Sequence, residues 1–148
     1  MDRKPKNIFV EGPITSEKIA NSIQNHASKH DIGAHSIFLG QVRADSLEAG
    51  LVTAIEYSCY QDLALEKAFE IREDIFGKYD LNCMHIYHSL GMVKAGEICL
   101  FVFTSSKHRK AAIEACNELV ERIKAELPIW GKEIFQDNSI QWKENKPL

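Results

Sequence analysis

One amphipathic pattern restricts the fold more than any other part of this sequence. It lies between Thr104 and Glu133, where apolar residues recur at steps of three and four: Ala112, Ile113, Cys116, Leu119, Val120, Ile123 and Leu127. This spacing predicts a helix with one buried face. Pro128 ends it, because proline cannot continue a helix. The rest of the chain must therefore supply a surface that covers this face.

The first turn of this helix is unusually basic. Lys107, His108, Arg109 and Lys110 crowd an end where the helix dipole is already positive. Cations at that end are unfavourable, and a local rule broken in this way is typical of a functional site. Free N–H groups beside basic side chains form a receptor for anions. The alternative is that these side chains simply extend into water.

Lys124 occupies the last full turn of the same helix. One interpretation is a solvated charge that suits the dipole. Its apolar neighbours Leu127 and Ile129 instead favour partial desolvation, which shifts a lysine towards its neutral, nucleophilic form. Lys124 lies about 22 Å from Arg109 along a straight helix. The sequence therefore predicts either two sites or one site shared by two copies of the chain.

Length and charge exclude several classes of protein. The 148 residues fit a single domain over 1–148, and the net charge of −3 does not suit a nonspecific binder of nucleic acid or acidic membranes. The sequence has no secretory h-region and no apolar run long enough to span a membrane. A cytoplasmic protein is expected.

The cysteines and histidines do not predict a metal site. The four cysteines, at 59, 83, 99 and 116, show no paired zinc-ligand spacing and are interpreted as reduced. His85 and His88 lie three residues apart on a predicted strand, so they point to opposite faces of it. Neither a bound metal nor a resident cofactor is expected.

The remaining segments indicate an α+β fold. Strands are predicted over 7–10, 34–42, 51–58, 83–88, 97–104 and 139–142, with a turn over 90–96. Helices are predicted from Thr15 or Ser16 to before Gly33, over 62–76 with Gly77 at its end, and in the basic segment. This order favours a largely antiparallel sheet with three main helices. Arg43 follows a strand directly, where binding residues are common, although a surface arginine fits as well.

Three motifs now occur together in a definite order. They are FxGxVR at Phe38 to Arg43, TSxxHR at Thr104 to Arg109, and Lys124 followed by PIW at Pro128 to Trp130. In these motifs the sequence resembles the large, catalytic subunit of molybdopterin synthase. The resemblance extends from about Gly33 to Trp142.

The resemblance implies a single domain of the α/β hammerhead type and a central homodimer. It also implies a small ubiquitin-like partner on each outer side, giving a heterotetramer. This partner carries sulfur as a thiocarboxylate on its C-terminal glycine. Two transfers of that sulfur would convert cyclic pyranopterin monophosphate into the dithiolene of molybdopterin.

The resemblance also implies roles for individual residues. Lys124 and Lys132 would be catalytic. Residues implied to bind substrate are Arg43, His108, Arg109, Gln41, Val42, Gly131 and Glu133, and Phe38 and Trp130 would form the pocket for the partner's tail.

One departure from the family pattern concerns Gly131. The family commonly has a functional lysine there, whereas this sequence has its lysine one place later, at Lys132. With an unchanged backbone Lys132 points elsewhere, and with a local shift at Gly131 it supplies the missing cation. The second interpretation is favoured.

Two alternatives to sulfur transfer from a partner remain open. The chain could be a non-catalytic, anion-dependent scaffold in which Gly131 marks lost activity. It could also be a sulfurtransferase with Cys116 as the sulfur carrier, although Cys116 falls on the apolar face of the helix, where a structural role is expected.

Overall fold

The computed structural model describes residues 6–143. Its helices are α1 (Ser16–Gln24), α2 (Gln61–Lys78) and α3 (Arg109–Glu126). Its strands are β1 (Phe9–Glu11), β2 (Ala34–Gln41), β3 (Ser46–Leu47), β4 (Gly50–Cys59), β5 (Cys83–Lys94), β6 (Ile98–Ser106), β7 (Ile129–Phe135) and β8 (Ile140–Trp142). No helix in this part of the chain is long and apolar enough to cross a membrane.

The strands form one sheet in the order β2-β6-β5-β4-β7-β8. β1 pairs with β5 in parallel, and β3 forms a short hairpin with β4. The other pairings among the described strands are antiparallel. The predicted α+β class, with three helices and a largely antiparallel sheet, is confirmed.

β5 connects the two halves of this sheet. Residues 83–88 of the strand pair with β6, whereas Gly91 and the residues up to Lys94 pair with β4. Gly91 has φ 79°, which a residue with a side chain rarely adopts, at the point where the strand changes partners. The sequence had placed a turn over 90–96, but the turn follows Lys94 and contains Gly96.

The face of α3 that packs on the sheet differs from the predicted one at one position. Ile113 is 55% exposed and Ala115 is fully buried instead. The reason is the helical period, since the buried positions Ala112, Ala115, Cys116, Leu119, Val120 and Ile123 form one stripe. The other predicted positions of this face are buried as expected.

Of the other two helices, only α2 differs from its predicted bounds. α1 begins as expected, because the Thr15 hydroxyl accepts a hydrogen bond from the N–H of Lys18, and it ends at Gln24, well before Gly33. α2 continues through Gly77 and ends at Lys78.

Two strands are not among those predicted. β3 lies between the predicted strands over 34–42 and 51–58, and β7 lies in the segment that leaves α3. β7 pairs with β4 over much of its length, with Gly131 opposite Tyr57 and Lys132 opposite Glu56. This pairing places the exit of α3 against the middle of the sheet.

Candidate functional site

A cavity of about 420 Å³ lies where the last turn of α3 meets the sheet. Its lining includes Lys124 and Ala125 of α3, Gly40 and Gln41 of β2, Tyr57 of β4, His88 of β5, Cys99 of β6, and Trp130 and Gly131 of β7. Of the predicted site residues, the structure brings Lys124, Gln41, Trp130 and Gly131 together here. The cavity therefore collects side chains that are far apart in sequence.

His88 forms part of the buried wall beside Lys124. Its Nδ1 lies 2.8 Å from the carbonyl oxygen of Ser89, and a carbonyl only accepts, so Nδ1 carries the proton and Nε2 is an acceptor. The pKa of His88 is lowered to about 4, chiefly by burial and in smaller part by the charge of Lys124, against the opposing effect of the Ser89 hydrogen bond. At neutral pH the ring is therefore an uncharged acceptor.

Tyr57 completes this wall from the neighbouring strand. Burial raises the pKa of its phenol strongly, and Cys99 and Glu133 raise it further. The phenol therefore keeps its proton throughout the physiological range. Glu133, a predicted substrate-binding residue, is buried and lies near Tyr57 rather than at the cavity surface.

Gly131 is tightly packed against this wall. A Cβ at this position would lie 2.9 Å from Cγ2 of Ile55 and 3.3 Å from Cε1 of Tyr57. Both neighbours belong to β4 and one of them is a buried branched side chain, so neither can move freely. Glycine at 131 therefore permits the close approach of β7 to β4.

Lys132 does not enter the cavity. Its ammonium lies 3.2 Å from Oε1 of Glu56, its cross-strand neighbour, and 5.6 Å from the ring centroid of Trp142. Successive side chains of a strand point to opposite faces, so Gly131 and Lys132 cannot both face the cavity in a regular strand. The local shift favoured from the sequence is not seen.

A different lysine lines the cavity. Lys143 follows β8, and its backbone N–H donates a 2.8 Å hydrogen bond to the carbonyl of Gly131. No motif in the sequence points to Lys143, because it lies at the start of a polar tail. The only signal available was that the short strand β8 would return the chain to β7.

The predicted residues near the end of β2 occupy different environments. Val42 is buried, and its N–H and C=O bond to Glu97 and Gly96, so it anchors the strand end rather than facing a ligand. The guanidinium of Arg43 is exposed and pairs with Asp45, with Nε and Oδ1 3.3 Å apart. Phe38 packs half-buried against the core.

The basic residues predicted at the start of α3, Lys107 to Lys110, face solvent, and we call them the basic corner. His108 is the N-cap residue, but its side chain makes no capping hydrogen bond, and Arg109 is the first residue of the helix. The Ser106 hydroxyl accepts from the N–H of Ala112 at 3.0 Å and donates to the carbonyl of His108. Ser106 thus holds this corner and satisfies one donor of the first turn.

Gly33 lies directly beneath the corner. A Cβ there would lie 2.1 Å from the carbonyl oxygen of Lys107, closer than any side chain allows. The N–H of Gly33 donates to the carbonyl of Ser106 at 3.0 Å. The start of β2 therefore fixes the position of His108 and Arg109.

Lys124 and the basic corner lie at opposite ends of one helix. Since α3 runs without interruption from Arg109 to Glu126, the distance of about 22 Å expected from the helical rise applies. A single chain does not bring the two groups into one small-molecule site. Cys116 lies between them and is buried, and burial raises the pKa of its thiol.

The fold and the site together define a class of α+β proteins in which one helix on a mostly antiparallel sheet carries a lysine cavity at its end and a basic corner at its start. The model of one protein family, described as MoaE protein, matches residues 10–126. The chain belongs to this family.

Several characterised proteins are similar to this chain. The molybdopterin synthase catalytic subunit of Bos taurus is 32% identical over 147 residues, covering 99% of this chain and 76% of that protein. The subunit of the same name from Drosophila willistoni is 40% identical over 116 residues, and the match covers only 31% of its length. The chain thus spans about a third of that relative.

Solved structures resemble the fold closely. The crystal structure of molybdopterin synthase from Staphylococcus aureus superposes with a TM-score of 0.80 at 30% identity, covering 93% of this chain and 96% of that one. A complex of subunits 1 and 2 of molybdopterin-converting factor from Helicobacter pylori gives 0.79 at 20% identity, which supports the fold alone.

Proposed function

We propose that this protein is the catalytic subunit of a molybdopterin synthase and a sulfurtransferase. It would transfer sulfur from the C-terminal thiocarboxylate of a small ubiquitin-like partner to cyclic pyranopterin monophosphate. The observation that carries the proposal is the position of Lys124 in a cavity walled by a neutral imidazole and a protonated phenol. Membership of the MoaE family supports it.

Lys124 is the group we assign to the chemical step. As an ammonium beside the thiocarboxylate carbonyl, it stabilises the negative charge that develops on oxygen when that carbon is attacked. As a neutral amine it would instead assist proton transfer. The walls formed by His88 and Tyr57 carry no charge of their own at neutral pH, so they do not screen the lysine. Tyr57 adds a hydroxyl donor to the same wall.

The anionic substrates account for the remaining basic residues. The phosphate of the pterin and the carboxyl-derived tail of the partner both need cations, and Arg43, His108 and Arg109 are exposed for such contacts. Phe38 and Trp130 would guide the tail, and Trp130 lines the cavity. The substrates supply the chemistry, so no resident cofactor enters this proposal.

A homodimer resolves the separation along α3. The basic corner of one copy would complete the Lys124 cavity of the other, and a partner subunit on each outer side would give the heterotetramer. All four cysteines are free thiols, which fits a reducing compartment such as the cytoplasm.

Lys143 weakens the case for a non-catalytic scaffold. That alternative rested on the loss of a cation at Gly131, and Lys132 does pair with Glu56 outside the cavity. The cavity nevertheless has a second lysine, because Lys143 contributes to its lining. We therefore assign the role expected of Lys132 to Lys143.

A single-turnover assay tests the function. The protein is mixed with thiocarboxylated partner and cyclic pyranopterin monophosphate, and dithiolene formation is followed. We expect the wild type to form product and Lys124→Ala to form almost none, while still binding the partner. Lys78→Ala is the matched control, since Lys78 lies outside the cavity lining, where it pairs with Glu118 and lies over the Tyr79 ring. Binding without conversion by the wild type would instead support the scaffold.

A further inference from the structure

Three potential metal ligands converge on the face of the sheet opposite the Lys124 cavity. They are His26, Cys83 and His85, whose ligand atoms all lie within 4.8 Å of one another. Cys83 and His85 are two residues apart on β5 and therefore share a face. His26 reaches them from the turn after α1. The pair rejected from the sequence, His85 with His88, is a different one, and the strand does separate those two residues.

The ring of His26 is already oriented for coordination. Its Nδ1 lies 2.6 Å from the carbonyl oxygen of Ser22, so Nδ1 carries the proton and Nε2 presents a lone pair. That Nε2 lies 3.0 Å from Nε2 of His85, which must donate the shared proton. A histidine held through its other nitrogen by a backbone carbonyl is the usual arrangement around a bound metal.

His85 and Cys83 present their donor atoms close to His26. His85 is half-buried on β5, and its Nε2 already lies within hydrogen-bond distance of the Nε2 of His26. Lys29 Nζ lies 3.0 Å from Cys83 Sγ and donates to it, so an ammonium lies beside the buried sulfur. The Phe103 ring, with its centroid 4.8 Å from that of His26, provides an apolar side to the cluster.

The local structure of α1 gives such a site a purpose. None of the nine residues of α1 is buried, and Ile19 packs only half-buried against the cluster around Phe101 and Phe103, so limited apolar packing holds this helix to the sheet. His26, two residues after its end, is buried against β5 and Phe103. An ion bound here would fasten the end of α1 to the strand.

We propose that His26, Cys83 and His85 bind one Zn²⁺ ion per chain, with water as the fourth ligand. Two imidazoles and a thiolate are a donor set that zinc prefers, and tetrahedral ligands at its usual bond lengths are about 3.3 Å or more apart. The ion replaces the proton between the two Nε2 atoms. His85 then binds as its Nδ1–H tautomer, and Cys83 binds as a thiolate, its thiol proton passing to solvent.

This site is separate from the proposed sulfur-transfer chemistry. Cys83 and His85 face α1, whereas His88, at the alternate position of β5, lines the Lys124 cavity. The ion is therefore structural, and its loss should lower stability more than it lowers turnover. Lys29 stays hydrogen-bonded to the sulfur as an outer donor, which offsets part of the thiolate charge.

Metal titration tests the proposal directly. Tag-free, full-length protein is treated with a chelator and titrated with Zn²⁺ against a chromophoric competitor, and with Co²⁺ as a spectroscopic probe. We expect one ion per chain and a thiolate-to-cobalt charge-transfer band, which Cys83→Ser removes. His26→Gln and His85→Gln should each weaken Zn²⁺ binding at least about tenfold.

Two controls keep the test decisive. His30→Gln and Cys59→Ser change an exposed histidine and a half-buried cysteine outside the cluster, and both should bind like the wild type. Zn²⁺ should raise the melting temperature of the wild type but not that of His26→Gln, and the metal-free variant should still melt cooperatively. Absence of stoichiometric binding, or equal affinity in the His26 and His30 variants, would overturn the proposal.

Discussion

The imidazole of His88 and the phenol of Tyr57 meet edge to face, with 5.2 Å between their ring centroids. They come from adjacent strands and line the cavity that also contains Lys124. Burial disfavours the charged form of both rings, so neither contributes charge at neutral pH. Among the described residues that line this cavity, the cations are Lys124 and Lys143. The cavity is therefore suited to an anionic or carbonyl-bearing ligand.

His88 should make the free energy of unfolding depend on pH. Its pKa is about 4 in the folded chain and about 6.5 when unfolded, so the unfolded state binds a proton first as the pH falls. The contribution of the neutral His88 ring to the free energy of unfolding is complete above pH 6.5 and is lost as the pH falls towards 4. The slope attributable to this group is at most about 1.4 kcal/mol per pH unit. Urea denaturation across this range measures it.

The variant His88→Gln isolates that contribution. Its stability should fall less steeply than that of the wild type between about pH 6.5 and 4. Tyr57, Lys124 and the Ser89 carbonyl face the ring and are unchanged in the variant. His30→Gln, at an exposed position, should follow the wild-type curve. Parallel curves for wild type and His88→Gln would show that the ring is not held neutral.

Lys143 and Lys132 should differ in their effect on turnover. Lys143→Ala removes a cation from the cavity, and loss of one charged contact to an anionic substrate corresponds to about a tenfold or greater loss of kcat/KM. Lys132→Ala breaks a partly exposed pair with Glu56 and a contact with the Trp142 ring, both outside the cavity, so its turnover should stay near that of the wild type. Steady-state kinetics with both variants distinguish the assignments. A large loss in Lys132→Ala alone would return the catalytic role to that residue.

Gly131 should tolerate a side chain poorly. Gly131→Ala places a Cβ 2.9 Å from Cγ2 of Ile55, and overpacking of this kind typically costs about 1–3 kcal/mol. Gly77→Ala is the matched control. A Cβ at Gly77 meets nothing within 4 Å, and alanine in a helix should add about 0.5–1 kcal/mol. Urea denaturation should show a lower free energy of unfolding for Gly131→Ala and a higher one for Gly77→Ala. Equal stability of the wild type and Gly131→Ala would contradict the packing argument.

The parts of the fold predicted from sequence were those with a strong local period. α3 was recognised because its buried positions recur as a helical stripe, and Pro128 marks its end. β7 was not recognised because two of its inward positions are Gly131 and Glu133, so the alternation of a strand is missing. Glu133 is buried by tertiary structure that no local pattern reveals.

The residues of the candidate site also fall into those that a local motif predicts and those that it does not. Lys124 and Gly131 were found through motifs that lie along the chain. Tyr57 and His88 were not, because they become neighbours only when β4 and β5 pair. Lys143 required the return of β8 to β7. Sequence therefore identified the residues fixed by one segment and missed those assembled by the order of strands.

Arg109 and Lys124 should act across a dimer. Arg109→Ala and Lys124→Ala should each be nearly inactive, because each removes a cation that the proposed site needs. Since α3 holds the two residues about 22 Å apart within one chain, one chain cannot supply both to the same site. In an equimolar mixture, half of the dimers contain one copy of each variant, and one of their two sites then has both residues. Mixing should therefore restore about a quarter of wild-type activity.

The mixing experiment needs subunit exchange and a control. The two variants are unfolded together and refolded, then assayed with thiocarboxylated partner. The control replaces Arg109→Ala with the double variant Arg109→Ala/Lys124→Ala, whose mixed dimers have no Lys124 and therefore no complete site. If both residues acted within one chain, no mixed dimer would contain an intact pair, and activity would stay at the level of the control. Recovery in the test mixture alone would assign the basic corner of one copy to the lysine cavity of the other.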